Sequence, residues 1–256
     1  CNAMAYTMNI SDGVSSVIKS TREQMRLGAD HIKIMMSGGV ASPYDPLDSM
    51  QFTVEEVTAA VTEAKAFGRY VCAHAYTPEA ITRAAQCGVR AIEHGNLIDE
   101  ASAKLMAENN MFLTANLVAY YAMRERAAEF GMNAEMLAKN DLVIDGGLKS
   151  LEICKRAGVP VAYGSDLLGQ LQVDQSREFL LRREVLSPLE IIRSATTIGA
   201  QLLRMEGKLG TLHAGAYADI ILVDGDPLKS LELFQDQGAK LLVIMKGGAF
   251  HKNTLH

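Results

Sequence analysis

The stretch YVCAHAYTPEAITRAAQCGVRAIEHG, residues 70–95, decides the architecture. Tyr70 to His74 is an apolar run that closes on a histidine. Thr77-Pro78-Glu79 opens a helix, with proline in the first turn, where its missing N–H is not needed. Cys87-Gly88 ends that helix, and Ala91-Ile92-Glu93-His94-Gly95 is a second short strand that again closes on a histidine. Two strands joined by a helical crossover form a parallel pair.

The same unit recurs on both sides. Upstream, Val14 to Leu27 has helical texture, Gly28-Ala29-Asp30 turns, and His31-Ile32-Lys33-Ile34-Met35-Met36 forms a strand. A loop rich in Gly, Ser and Pro, 37–50, leads to a helix opening at Thr53-Val54-Glu55-Glu56, a capping-box spacing. Downstream, Asp99 to Asn109 is a helix and Met111 to Leu117 a strand. A longer helical insert reaches Gly158, and Val159 to Asp166 is the fifth strand. A helix follows from Ser187 to Leu203.

Strands alternating with helices, each carrying its polar residue at the C-terminal end, predict a TIM-type (β/α)₈ barrel. A doubly wound sheet is the competitor, but its Gly-rich phosphate loop is missing. From Gly207 the texture shifts to short strands broken by Gly, Asp and Pro. We therefore divide the chain into a barrel portion, 1–206, and a small β-sandwich segment, 207–256. Five strands fall short of eight, so the sequence reads as an incomplete barrel, starting from about the fourth strand of an N-terminally truncated or partial chain.

Composition narrows the function. The 256 residues carry a net charge of −5, which leaves no electrostatic footprint for nucleic acid. No apolar run spans a membrane, and no signal peptide is visible. The four cysteines, Cys1, Cys72, Cys87 and Cys154, form no Cys-x-x-Cys pair. Cys72 and Cys87 read as small buried hydrophobes. A reduced, cytoplasmic setting follows from that usage.

Four residues stand at strand ends: Lys33, His74, His94 and Asp166. Lys33 lies among Ile32, Ile34, Met35 and Met36, in a strand expected to be buried on both faces. A lysine there reaches solvent at the strand end, forms Schiff bases, or is neutralised by coordination. Two histidines on neighbouring strands can meet one cation. Asp166 follows the small residues Gly164-Ser165, and an acidic group at a barrel mouth reads as catalytic or metal-binding. Glu93, alternating with His94, is expected to face the helical layer and form an ion pair. His31 reads as structural, and His213, His251 and His256 as exposed.

Taken together, Ile-Lys-Ile-Met-Met-Ser-Gly-Gly (32–39), Ala-His-Ala (73–75), Ile-Glu-His-Gly (92–95) and Gly-Ser-Asp (164–166) resemble strands four, five, six and eight of the amidohydrolase superfamily. Ala-Asp-Ile-Ile-Leu-Val-Asp-Gly-Asp-Pro (218–227) is similar to its C-terminal β-sandwich segment. The likeness runs from about Asp12 to Lys252. It is strongest to the prolidase-like branch, with Xaa-Pro dipeptidases and arginine carboxypeptidases, related to imidazolonepropionase.

The resemblance implies two divalent metal ions, zinc by preference. Lys33 would be carbamylated by CO₂ and bridge them, His74 and His94 would hold one, and Asp166 would ligate the other and shuttle the proton of a bridging water. The family's His-x-His on the first strand is absent, so two of six ligands have no counterpart here. Substrates would be dipeptides, Xaa-Pro first, or N-acyl amino acids, with an apolar C-terminal residue suiting Tyr120, Tyr121, Leu167 and Leu168. No nucleic acid or membrane partner is expected; a homo-oligomer is compatible with the sequence.

Other contacts rest on the residues themselves. The N–H groups of Ser37-Gly38-Gly39 form a nest for a carboxylate or else a tight turn. The Tyr120 phenol polarises the substrate carbonyl, or Tyr120 and Tyr121 only cover the rim. Residues 41–50 form a lid. Arg124 or Arg126 would have to reach in from the insert. The alternatives are a cyclic amidohydrolase of the imidazolonepropionase type, a metal-free Schiff-base lyase on Lys33, and a non-catalytic ligand-binding barrel.

Overall fold

The computed structural model describes residues 8–255; Cys1 and His256 lie outside them. Five parallel strands run in sequence order: β1 (His31–Met35), β2 (Tyr70–Ala75), β3 (Ala91–His94), β4 (Phe112–Thr114) and β5 (Val161–Ala162). Each strand lies beside its predecessor, without the reversal that a doubly wound sheet shows at its switch point. Helices α1 (Val14–Arg26), α2 (Val54–Ala66), α3 (Pro78–Gln86) and α4 (Glu100–Glu108) alternate with the first four strands. They begin where the local chemistry says. Thr53 and Asp99 cap α2 and α4 with full capping boxes, and Thr77 caps α3 ahead of Pro78.

The two faces of the sheet differ. Ile32, Ile34, Val71, Ala73, Ile92 and Leu113 join Val61, Ile81, Met106 and Leu151 in the main core between sheet and helices. On the other face the register aligns Lys33, Cys72, Ala91 and Phe112 in one layer, with Met35, His74, Glu93 and Thr114 in the next. Cys72, Ala91 and Phe112 pack on Ile198 and Leu202. Arg90 lies over Phe112 and donates to the carbonyls of Gln201 and Leu202, closing that end. Cys72, Cys87 and Cys154 are buried free thiols, and burial pushes Cys72 and Cys154 up to about 12.

Beyond β4 come α5 (Leu117–Glu125) and the long α6 (Ala134–Ala157). After β5 follow a 3-10 turn (Gly169–Asp174), α7 (Arg177–Arg182), α8 (Pro188–Ala195) and α9 (Thr197–Leu202). A separate antiparallel sheet holds β6 (Ile220–Val223), β7 (Leu241–Lys246) and β8 (Ala249–Asn253) in that order. Gly247 and Gly248, with φ of 57° and 83°, make the two-residue turn between β7 and β8. No described helix is long and apolar enough to cross a membrane.

Several expectations need correction. β1 is not buried on both faces: among the described residues it pairs with β2 alone, and His31, Lys33 and Met35 are exposed while Ile32 and Ile34 are buried. β4 stops at Thr114, because Asn116 adopts φ 55° and turns the chain into α5. β5 keeps only two residues of the expected strand. The helix 187–203 breaks at Thr196, whose φ −124° and ψ −93° are not helical. Within 207–226 only Ile220–Val223 is a strand.

Candidate functional site

His74 and His94 meet at the ends of β2 and β3. The register sets His74 opposite Glu93, so His94 stands one residue further along. Strict alternation would turn it to the other face. Its φ of 80° instead brings the side chain back, with the ring centroids 4.5 Å apart at 69°. A non-glycine residue at such φ is strained and tends to occur where geometry serves function. Both rings are buried, His74 5% and His94 2% exposed. Burial lowers the pKa of His74 to about 4 and that of His94 well below the usual imidazole value. Both are neutral at pH 7, with a proton on one ring nitrogen and a lone pair on the other.

The partners decide which nitrogen that is. His74 Nε2 lies 3.0 Å from the carbonyl of Gly38, which can only accept, so Nε2 carries the proton and Nδ1 the lone pair. His94 Nδ1 lies 2.6 Å from the Tyr120 hydroxyl, itself 3.0 Å from the Tyr76 hydroxyl. His94 Nε2 faces Asp166 Oδ2 at 4.0 Å. Asp166, four residues past β5, likewise adopts a positive φ, 50°.

Glu93 overturns its expectation. It shares the inner face with His74, because the positive φ at His94 breaks the alternation on which the outward assignment rested. Its neighbour is Asn116, with Nδ2 at 3.5 Å, and among the described residues no helix side chain forms an ion pair with it. Burial raises the pKa of Glu93 and of Asp166, while the Lys33 ammonium pulls both back down. The same ammonium also disfavours protonation of His74 and His94. Lys33 thus shares one electrostatic neighbourhood with all four groups.

Around this centre the loops are engaged. Ser37 Oγ accepts the Tyr76 N–H at 3.2 Å. Gln51 donates to the Met36 carbonyl at 3.2 Å, and the isolated bridge between Ser37 and Met50 engages the Gly38 N–H on the same side of the loop. Gly38 has no room for a Cβ, which would sit 2.0 Å from the Pro46 carbonyl oxygen. Tyr120 is buried within α5. Arg124 pairs with Asp141 and Arg126 with Asp174, so both guanidinium groups are occupied. His213 and His251 are exposed.

Sequence reasoning missed Tyr76, although its place two residues past His74 was a legible signal. It also missed Glu178 and Arg182, a fully buried pair at 2.6 Å. Glu178 accepts the Val118 N–H at 2.7 Å and Arg182 donates to the Ala162 carbonyl at 3.0 Å, tying the start of α5 to the end of β5. Nothing in an i, i+4 Glu/Arg spacing separates such a pair from a surface one.

The model of the amidohydrolase family matches residues 2–249. The chain belongs to the amidohydrolase family. Its five parallel strands are part of that family's barrel. A prolidase crystallised with N-methylphosphonate-L-proline is 48% identical, with a TM-score of 0.93, over 96% of this amidohydrolase chain and 60% of the prolidase. A Xaa-Pro dipeptidase with methionine bound in its active site is 30% identical, with a TM-score of 0.85, over 94% of this chain and 59% of the other. Ochratoxinase of Aspergillus niger is 32% identical over 244 residues, 95% of this chain and 50% of the relative. The chain thus spans about half to three fifths of the relatives it matches.

Amidohydrolases generally use divalent metals. The donors here fit such an ion in kind: two neutral imidazoles, with the lone pair of His74 placed on Nδ1, and an acidic side chain facing His94 Nε2. Among the described residues, no group of three His, Cys, Asp or Glu side chains is placed to hold an ion unaided.

Proposed function

We propose that this chain carries part of the active site of a metal-dependent amide hydrolase acting on dipeptides, Xaa-Pro first, or N-acyl amino acids. The observation that carries the reading is the pair of buried neutral imidazoles 4.5 Å apart, with Asp166 facing His94 Nε2. Lys33 as its carbamate, His74, His94 and Asp166 would hold two divalent ions, zinc in our reading. When bound, the metals supply Lewis acidity toward a carbonyl oxygen and toward water.

The chain's own residues supply the rest. Asp166 Oδ2 takes the proton of the attacking water and returns it to the leaving amine. The Ser37-Gly38-Gly39 segment beside His74 receives the substrate carboxylate. The Tyr120 phenol acts on the carbonyl or, through the bond it already makes to His94, on the imidazole. The relatives support the reaction class: one is a prolidase, one a Xaa-Pro dipeptidase and one an ochratoxinase.

The test is metal analysis of the purified protein together with a panel of dipeptides and N-acyl amino acids. We expect bound Zn, Mn or Co and turnover that favours proline or an apolar residue at the C-terminus. A folded protein without metal, or one that forms a borohydride-trappable adduct on Lys33, would overturn the reading.

A further inference from the structure

The insert between β4 and β5 contains α6, and three consecutive segments of the site converge on one stretch of it. Lys139 reaches across to the loop 37–50, where its ammonium donates to the carbonyls of Gly39 at 2.9 Å, Asp45 at 3.1 Å and Ser42. Three acceptors match the three N–H donors of an ammonium. Among the described residues, no carboxylate pairs with Lys139. That loop contains no helix and only an isolated bridge between Ser37 and Met50, so its shape depends on such contacts.

The next residue, Asn140, is fully buried and donates to the Tyr120 carbonyl at 3.0 Å. Val143, one turn on, accepts from Asn96 at 2.8 Å, two residues past His94. Gly146 and Gly147 then leave room for that loop. A Cβ on Gly146 would fall 2.3 Å from the Asn96 carbonyl oxygen, and one on Gly147 would fall 2.8 Å from Leu117. Two glycines inside a helix cost about 2 kcal/mol together, so close approach is what the site gains from them.

Each contact lies one step from an imidazole. Gly38, beside the Lys139-bound Gly39, accepts from His74 Nε2; Tyr120, whose backbone Asn140 holds, bonds His94 Nδ1. We infer that Lys139 and Asn140, neighbours on α6, are positioning residues for the two imidazoles: Lys139 keeps Gly38 against His74, and Asn140 keeps Tyr120 against His94. In each ring one nitrogen is thereby committed and the other left free, toward the site.

The inference goes beyond the proposed hydrolysis, and its readouts sit on the imidazoles themselves. It can therefore fail while hydrolysis stands, or stand while hydrolysis fails. The experiment is ¹⁵N NMR of histidine side chains in the metal-free protein, for Lys139→Met, Asn140→Leu and the exposed control Lys149→Met. Lys139→Met should turn the single Nε2–H form of His74 into a tautomer mixture and leave His94 unchanged. Asn140→Leu should do the reverse. Limited proteolysis within 39–46 should speed up roughly tenfold in Lys139→Met only. Zinc affinity by chelator competition should fall roughly 10- to 100-fold in both, the range seen for outer partners of metal ligands. Where either variant fails to fold, Lys139→Gln or Asn140→Asp is measured in its place. Unchanged tautomers, or both rings responding alike to either substitution, would overturn the assignment.

Discussion

His74 and His94 are neutral because they are buried, and the chain obtains that burial from opposite devices. His74 follows the strand pleat, whereas His94 is held at φ 80°. Replacing either with Ala should weaken divalent-metal binding by more than the roughly 10- to 100-fold typical of outer partners, while His213→Ala leaves it unchanged; equilibrium dialysis reads the difference. Tyr120→Phe separates two roles for the phenol. If it polarises the carbonyl, kcat falls on the order of 10²-fold at constant metal affinity; if it orients His94, metal affinity falls with kcat. Lys33, His74 and His94 stood out in the sequence because each interrupts or ends an apolar run, and Asp166 because it follows Gly164-Ser165. Glu93 was misplaced because a single positive φ reverses alternation, and no residue type announces that at a histidine. Lys139 was invisible for another reason: its acceptors are backbone carbonyls some 94 to 100 residues away in sequence, which leave no side-chain signature.

Elements were legible where local chemistry decides them. Thr53, Asp99 and Ser187 each bond the N3 N–H of the helix they precede, so those starts could be read from short spacings. β4 and β5 were overestimated because the stretches that mark them extend beyond the residues that pair with a neighbouring strand, which end at Thr114 and Ala162. The end of β5 is held instead by the Glu178–Arg182 pair of α7. With both side chains at 0% exposure, Arg182→Met strands a buried carboxylate and should cost about 3–5 kcal/mol in urea unfolding. Pairing it with Glu178→Leu should recover part of that loss, since no charge is then left without a partner. A double variant no more stable than Arg182→Met would mean that the stranded carboxylate is not the source of the loss. The alternation of elements gave away the parallel sheet, and sequential strand order then separated a barrel from a doubly wound sheet.

At the scale of the molecule, the buried imidazoles make stability depend on pH. The pKa of His74 is lowered to about 4, so between about pH 6.5 and 4 the unfolded chain takes up a proton that the folded chain refuses. This contribution is fully present above about pH 6.5 and is lost as pH falls toward 4, on the order of 3 kcal/mol for one such group. Glu93 and Asp166, with raised pKa values, act in the opposite sense just above the ordinary carboxylate range. The urea midpoint of the metal-free protein should therefore drop from pH 7 to about pH 5.5, and His74→Gln should flatten that drop. A midpoint that rises on acidification would contradict it. The buried thiols give the molecule a built-in gauge of opening. Cys72 and Cys154, pushed up to about 12 by burial, are protonated and out of reach of reagent at pH 8. A thiol-alkylating reagent therefore labels them only when the fold opens, and their labelling rate should climb with urea in step with unfolding. Fast labelling of either thiol without urea would rule this out.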